Sequence, residues 1–296
     1  LATVTTTESA PVVVAQRLRR GSCGSARGAG RLIADAITTT RRLPAMTGKK
    51  ILVRADSAFY GRPSISAAIT AGADVSVTAR MDPNVKRAIA TIADDAWQTI
   101  QYTNAIFDET SQSWISSAEV AEVPFTAFAS KKAADQVPGR LVVRRIPELN
   151  SKDVDQPGLF DLHRFHAVFT TADPGILDTV AADKTHRQHA IIEQVNADLK
   201  NSALAHMPSG VFTANAAWLV CAVMAFNLTR AVGTIAGTRL ARATTATIRR
   251  RLVTVPARIA RRARRLVLHL PQGWKWEPQW RKLFEHGHSP PAVVSS

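Results

Sequence analysis

Cysteine is scarce. Cys23 and Cys221 are the only two, far apart in sequence. That excludes a disulfide framework and points to a reducing, cytoplasmic setting. Long apolar runs are also missing. Ala216 to Phe226 is wholly apolar, but a bilayer-crossing helix takes roughly 20 such residues, so no membrane partner is expected. Leu1-Ala2-Thr3-Val4 lacks an initiator Met and a charged start leading into a signal segment. It reads as the middle of a strand, so the expectation is a fragment. Acidic residues vanish altogether between Leu199 and Trp276, a stretch that holds eleven arginines. Gly21 to Gly30 is glycine-rich but lacks the Gly-Lys-Ser/Thr ending of a phosphate-cradling loop, so it reads as a turn that opens a helix.

What is present is positive charge. Lys and Arg number 38 against 23 Asp and Glu, a formal net charge of +15. Such an excess suits a polyanion, either nucleic acid or an acidic membrane surface. With 296 residues, about half of them apolar, the chain can bury a substantial core.

The pattern starts with Val/Thr-rich segments on either side of Glu8-Ser9-Ala10-Pro11, which predict a hairpin over residues 1–18. A helix is predicted over Ala26 to Thr39, a buried strand over Lys49 to Asp56, a helix from Pro63 to Ala71 and a strand from Asp74 to Ala79. This order implies an α/β sheet. From Trp97 to Thr170 short β-branched runs recur, and they read as a β-rich insertion. Asp183 to Leu199 reads as one helix and Asn215 to Val232 as a strongly apolar one. Leu252 to Val255 and Leu266 to Leu270 read as two strands joined by an Arg-rich connection for which a helix is the alternative. Trp274, Trp276 and Trp280 suit core packing better than base stacking, and a disordered Pro/Ser-rich end follows.

Two carboxylates stand out. Asp56 directly follows a buried strand, and open α/β sheets bind ligands at the carboxyl ends of strands. An acid there suits a hard cation such as Mg²⁺, or it caps the next turn. Glu193 shares a helical face with His186, His189, Asn196 and Lys200, beside an apolar face of Ile192, Val195 and Leu199. The plainer alternative is a solvated face with ordinary ion pairs. His163 with His166, and His186 with His189, have zinc-ligand spacing, but neither cysteine is near in sequence.

Arg54-Ala55-Asp56-Ser57-Ala58-Phe59-Tyr60, the run His186 to Gly210, Asn215 to Arg230 and Val255 to Arg261 occur in an order that resembles bacterial insertion-sequence DDE transposases. The resemblance spans Leu1 to about Phe284. It implies an α/β fold with an RNase H-like mixed sheet flanked by helices and a β-rich insertion before the last catalytic helix. It also implies an Asp, Asp, Glu triad that binds Mg²⁺ or Mn²⁺ and performs DNA strand cleavage and transfer by in-line phosphoryl transfer. Asp56 would be the second acid, Glu193 the third, and Lys200 the lysine that follows it by seven residues. The family places Tyr and Arg where His186 and His189 stand, and Arg187 is out of register.

By resemblance the first acid lies on a strand preceding Leu1. The expectation is therefore an N-terminally truncated chain in which the strand before Asp56 has an unpaired edge and strand transfer is weak or absent. DNA, both transposon ends and target, is the implied partner of a homo-oligomer in the bacterial nucleoid. His186, Arg187, His189, Arg249, Arg250, Arg251, Arg258, Arg261 and Arg262 are the candidate DNA contacts. The alternative is a catalytically inactive DNA-binding remnant. The expected divisions are 1–96 (first part of the core), 97–172 (insertion), 173–235 (catalytic and apolar helices) and 236–296 (basic region with tail).

Overall fold

The computed structural model describes residues 1–6, 10–108, 113–147 and 163–289. Glu8 and Ser9 of the predicted hairpin turn, and the Pro/Ser-rich end beyond Ser289, lie outside these residues. The chain forms two compact units: Arg20–Ala190, and Leu1–Arg19 together with Ile191–Ser296.

β1 (Ala2–Val4) and β2 (Val12–Ala15) belong to the second of these units, and the Arg20–Ala190 unit opens with α1 (Ala29–Arg41) and continues through β3 (Leu52–Ala55), α2 (Arg62–Thr70), β4 (Asp74–Thr78) and α3 (Pro83–Ala90). Proline fixes the first turn of α2 and of α3, and Asp82 caps α3 by accepting from the Asn84 and Val85 N–H groups at 2.9 and 3.0 Å. Four longer strands follow: β5 (Gln98–Asp108), β6 (Ser113–Ala127), β7 (Val137–Pro147) and β8 (His163–Thr170). Then comes α4 (Thr179–Arg187), whose N-cap Asp178 accepts from the Ala181 N–H at 2.7 Å.

All six strands make one mixed sheet in the order β3-β4-β8-β7-β6-β5. β3 and β4 are parallel, as a strand–helix–strand crossover requires, and the other pairs are antiparallel. This α/β sheet flanked by helices is consistent with an RNase H-like fold. The β-rich stretch does not form a layer of its own: β8 returns to pair with β4 and carries the sheet onward. β3 is an edge strand, with no partner on its outer side among the described residues.

The helices cover the sheet with Ile37 of α1 and Ile65 and Ala68 of α2, packed on Val75, Val77 and Phe169. Phe169 has no exposure. Gly139 of β7 lies against it. A Cβ added there would fall 2.6 Å from the Thr170 carbonyl oxygen and 2.8 Å from the Phe169 ring. Gly139→Ala is expected to lower stability by about 1–3 kcal/mol, because backbone and a packed ring must both shift. Urea unfolding at constant m-value measures it, and a loss under about 0.5 kcal/mol would show that the site relaxes freely.

The other unit begins with the hairpin β1 (Ala2–Val4) and β2 (Val12–Ala15), which among the described residues pair with each other alone, as a two-stranded sheet. α5 (Ile191–Lys200) and α6 (Phe212–Ala236) follow. Val13, Val195, Leu199, Leu219, Val223 and Phe226 form their common core. The Asn227 side chain accepts from the Val13 N–H at 2.9 Å and donates to the Val13 carbonyl at 2.8 Å. The apolar run Ala216 to Phe226 is thus the middle of a 25-residue helix. By length and composition alone α6 is long enough to cross a bilayer. Its buried residues, however, include Leu219, Val223 and Phe226 in the protein core, and an arginine, Arg230.

The C-terminal region departs from expectation. Leu252 to Val255 is not a strand. α7 (Thr238–Ala241) and α8 (Thr245–Ile248) lead into a wide helical turn over Arg249–Val253. Leu252 is buried with Ile248, Leu240 and Ala236, and Trp276, Trp280 and Leu283 pack on them, the last two from α9 (Glu277–His288). Arg258 to Arg262, expected as a connection, is strand β9, paired antiparallel with β10 (Arg265–His269).

Candidate active site

Asp56 stands immediately after β3, where the chain leaves the sheet. Its backbone is extended, and its carboxylate accepts from the Ala58 N–H at 2.8 Å, capping the short turn Ser57–Phe59. The carboxylate is exposed and the second oxygen is free for a ligand. Two residues upstream, the half-buried Arg54 donates to the Thr185 carbonyl at 2.7 Å, tying the last turn of α4 to the strand that carries Asp56. Burial lowers the Arg54 pKa. Composition alone missed this residue, although a lone Arg inside an apolar strand next to an acid is a usable signal.

The predicted continuous helix over Asp183 to Leu199 is broken. α4 ends at Arg187, Gln188–Ala190 forms a tight 3₁₀ turn, and α5 begins at Ile191. His189 stabilises the break, its Nδ1 lying 2.8 Å from the His186 carbonyl. His186 therefore stands on α4 and His189 in the turn that follows, with Glu193 and Lys200 on α5. The unit boundary falls in the same place: Asp56, His186, Arg187 and His189 belong to the first unit, Glu193 and Lys200 to the second.

Three residues expected near DNA are engaged inside the protein. His186 is only 4% exposed. Its Nδ1 lies 2.9 Å from the Ser76 hydroxyl and its Nε2 3.0 Å from the Thr78 hydroxyl. Arg187 donates to the buried Asp183 at 2.8 Å and lies over the Tyr102 ring at 5.0 Å. Asp183 also takes Arg144 at 3.4 Å. Arg251 stacks over Trp276 at 4.4 Å. Arg249, Arg250, Arg258, Arg261 and Arg262 remain exposed. The His pairs do not form zinc sites. Both His186 nitrogens are occupied by hydroxyls, and His163 and His166, three apart on β8, face opposite sides of the sheet.

Burial first, and neighbouring His189 second, push the His186 pKa down to about 4, against a smaller opposing contribution from Ser76. The folded state therefore prefers the neutral ring. Above pH 6.5 the ring is neutral whether folded or not, and it contributes no pH dependence. As pH falls from 6.5 towards 4 the unfolded chain takes up the proton first, and stability is lost. The expected loss by pH 5 is about 2 kcal/mol. Urea unfolding at pH 7 and pH 5 measures it, with His186→Gln as the control that should flatten the dependence. An equal slope in the control would assign the loss to other groups.

α5 presents Val195 and Leu199 to the core, which leaves Glu193 and Lys200 exposed. Seven residues apart, they lie on one side of the helix about 10 Å apart along its axis. Asp198, on the inner side, accepts from the Thr245 N–H at 2.9 Å and from its hydroxyl at 3.0 Å, and lies 3.6 Å from Arg230. The helix that displays Glu193 is therefore held by a buried ion pair that pattern reading did not reveal.

Carboxylate oxygens are the donors a hard divalent cation takes, and Asp56 and Glu193 are both open to solvent. Within either unit, no three His, Cys, Asp or Glu side chains among the described residues come together in a group that could hold a metal ion.

Comparison with curated proteins gives no match. A family model does match: transposase DDE domain group 1, over residues 8–287. The match takes in residues of both units, the strands β2 to β10 and both exposed carboxylates, and leaves out β1. The chain belongs to the transposase DDE domain family.

Proposed function

We propose that this chain acts on DNA phosphodiesters, cleaving and transferring strands, with Asp56 and Glu193 as the reacting-site carboxylates and Lys200 as a phosphate contact. The carrying observation is the placement of Asp56: an exposed acid at the carboxyl end of a parallel strand, in a chain of a DDE family. In the proposed reaction a water or 3′-hydroxyl oxygen forms a bond to phosphorus and gives up its proton. The P–O bond opposite breaks, leaving a strand end. Lys200, a flexible point charge, would sit beside a phosphate oxygen.

DDE transposases use divalent metal ions, and Mg²⁺ or Mn²⁺ is the expected ion here. The two carboxylates suit such an ion by donor type. They do not complete a site for it, because the described residues offer no third ligand within either unit. No step is therefore derived through a metal.

The exposed Arg249, Arg250, Arg258, Arg261 and Arg262 support a second reading, in which the chain binds DNA without chemistry. Incubating the purified chain with duplex DNA in Mg²⁺ or Mn²⁺ separates the two. Strand cleavage that is lost in Asp56→Ala and Glu193→Ala supports the first. Salt-dependent binding that survives both substitutions, with no cleavage by the parent chain, selects the second.

A further inference from the structure

The β9–β10 ribbon is unlike the rest of the molecule. Every residue of β10 is exposed, as are all of β9 but Ala260. Neither strand pairs with any other strand among the described residues. Its register sorts the side chains into two faces, since directly opposed residues share one. Arg258 opposite His269, Ala260 opposite Val267 and Arg262 opposite Arg265 make a cationic face. Ile259 opposite Leu268 and Arg261 opposite Leu266 make the other, largely apolar.

Two features of the cationic face are unfavourable in an isolated protein. Like charges placed directly opposite, as Arg262 and Arg265 are, repel rather than stabilise. No acid offsets them: Leu199 to Trp276 contains none, and none of Arg258, Arg262, Arg264 or Arg265 has an acidic partner among the described residues. The turn adds strain. Ala263 and Arg264 have φ of 45° and 64°, values that such tight hairpin turns normally give to Asn and Gly. The result places a further cation at the tip. A lone two-stranded hairpin is marginal in water, so this one calls for an external partner of opposite charge.

We propose that the face formed by Arg258, Arg262 and Arg265, with Arg264 at the tip, clasps the sugar-phosphate backbone of duplex DNA, independently of sequence. Four strand steps from Arg258 to Arg262 span about 13 Å and opposed residues stand about 5 Å apart, so Arg258 and Arg262 line one strand and Arg265 faces Arg262 from the other. A ribbon of this width also fits the major groove, which would bring the arginines of both strands to flanking phosphates. The polyanion turns the Arg262–Arg265 repulsion into attraction and replaces the missing acids. The inference rests on the DNA-acting reading above, and it narrows the basic surface to one face: Arg261, despite its charge, lies on the other side.

The test is fluorescence anisotropy of a labelled duplex DNA of arbitrary sequence with the full chain, across a salt series. The triple substitution Arg258→Ala, Arg262→Ala, Arg265→Ala is expected to weaken binding at least about tenfold. It should also reduce the slope of log K against log salt by about 3, roughly 0.9 for each lost phosphate contact. Arg261→Ala should leave affinity within about twofold. The corresponding triple Lys variant, which keeps the charge and the strand, should retain the parent slope. A triple Ala variant that binds like the parent overturns the proposal while leaving DNA action intact. So does an Arg261→Ala loss as large per residue as that of the triple, or a Lys triple as weak as the Ala triple. Failure of the parent chain to bind DNA even at low salt would instead remove the DNA-acting reading, and the ribbon proposal with it.

Discussion

Asp56→Asn is expected to reduce DNA strand cleavage by roughly 10³-fold, equivalent to about 4 kcal/mol of transition-state stabilisation. The melting temperature should stay within about 2 °C of the parent chain. The two halves of this expectation come from one geometry. The Asp56 carboxylate accepts the Ala58 N–H, and an Asn side-chain oxygen accepts the same bond with equal capping preference. The local turn therefore survives. What Asn removes is the negative charge and the second free oxygen, the properties a reacting-site acid needs. Asp56→Ala deletes both roles and should cost about 1 kcal/mol of stability besides. Even for a parent chain that turns over slowly, the ratio of variant to parent carries the test. Parent-like cleavage by Asp56→Asn would reduce the residue to a turn cap.

Asp198→Ala should lower the stability of the unit built on α5, α6 and α8 by about 3–5 kcal/mol. Asp198 and Arg230 are nearly sealed from solvent, with side chains 10% and 6% exposed. Arg230 also donates to the Ala243 carbonyl and to the Thr245 hydroxyl. Burial lowers the Arg230 pKa, but an arginine stays charged at any ordinary pH. Removing the carboxylate thus strands a buried cation and leaves the Thr245 N–H without its acceptor. Replacing both partners, as in Asp198→Leu with Arg230→Met, should recover most of the loss, since the penalty belongs to the orphaned charge rather than to the missing pair. Urea unfolding of the two variants decides it. A single-variant cost below about 1 kcal/mol would mean that water reaches Arg230.

These two sites differ in how much of them the sequence disclosed. Asp56 was legible because the apolar run Ile51 to Val53 ends beside it, and a strand with an acid at its end reads the same in sequence and structure. α6 and the hairpin of β1 and β2 were legible for the same kind of reason, an unbroken local pattern. Asp198 was not, because its partners Arg230 and Thr245 come from distant elements. His186 looked like a polar-face residue and proved buried, since its capacity for two hydrogen bonds is met by Ser76 and Thr78 over a hundred residues earlier. Leu252 to Val255 misled by length: so short an apolar run does not distinguish strand from helix. The spacing of Ile248 and Leu252, one helical turn apart and both buried, was the better guide. β9 has no apolar alternation of its own and becomes a strand through pairing with β10. The pairing of β4 with β8 joins segments that no local pattern connects, which is why the β-rich stretch looked separate.

Asn227 clamps both backbone groups of Val13 from 214 residues away. Translation runs from N- to C-terminus, so β1 and β2 are made long before the residue that secures them. At about 5–20 residues per second, the hairpin waits roughly 10–40 seconds for Asn227. Throughout that interval the Arg20–Ala190 segment, contiguous in sequence, is free to complete its own sheet, because β8 follows β4 well before α6 is made. The order of synthesis thus lets the Arg20–Ala190 unit fold before the hairpin is secured, and the hairpin needs shielding until α6 is translated.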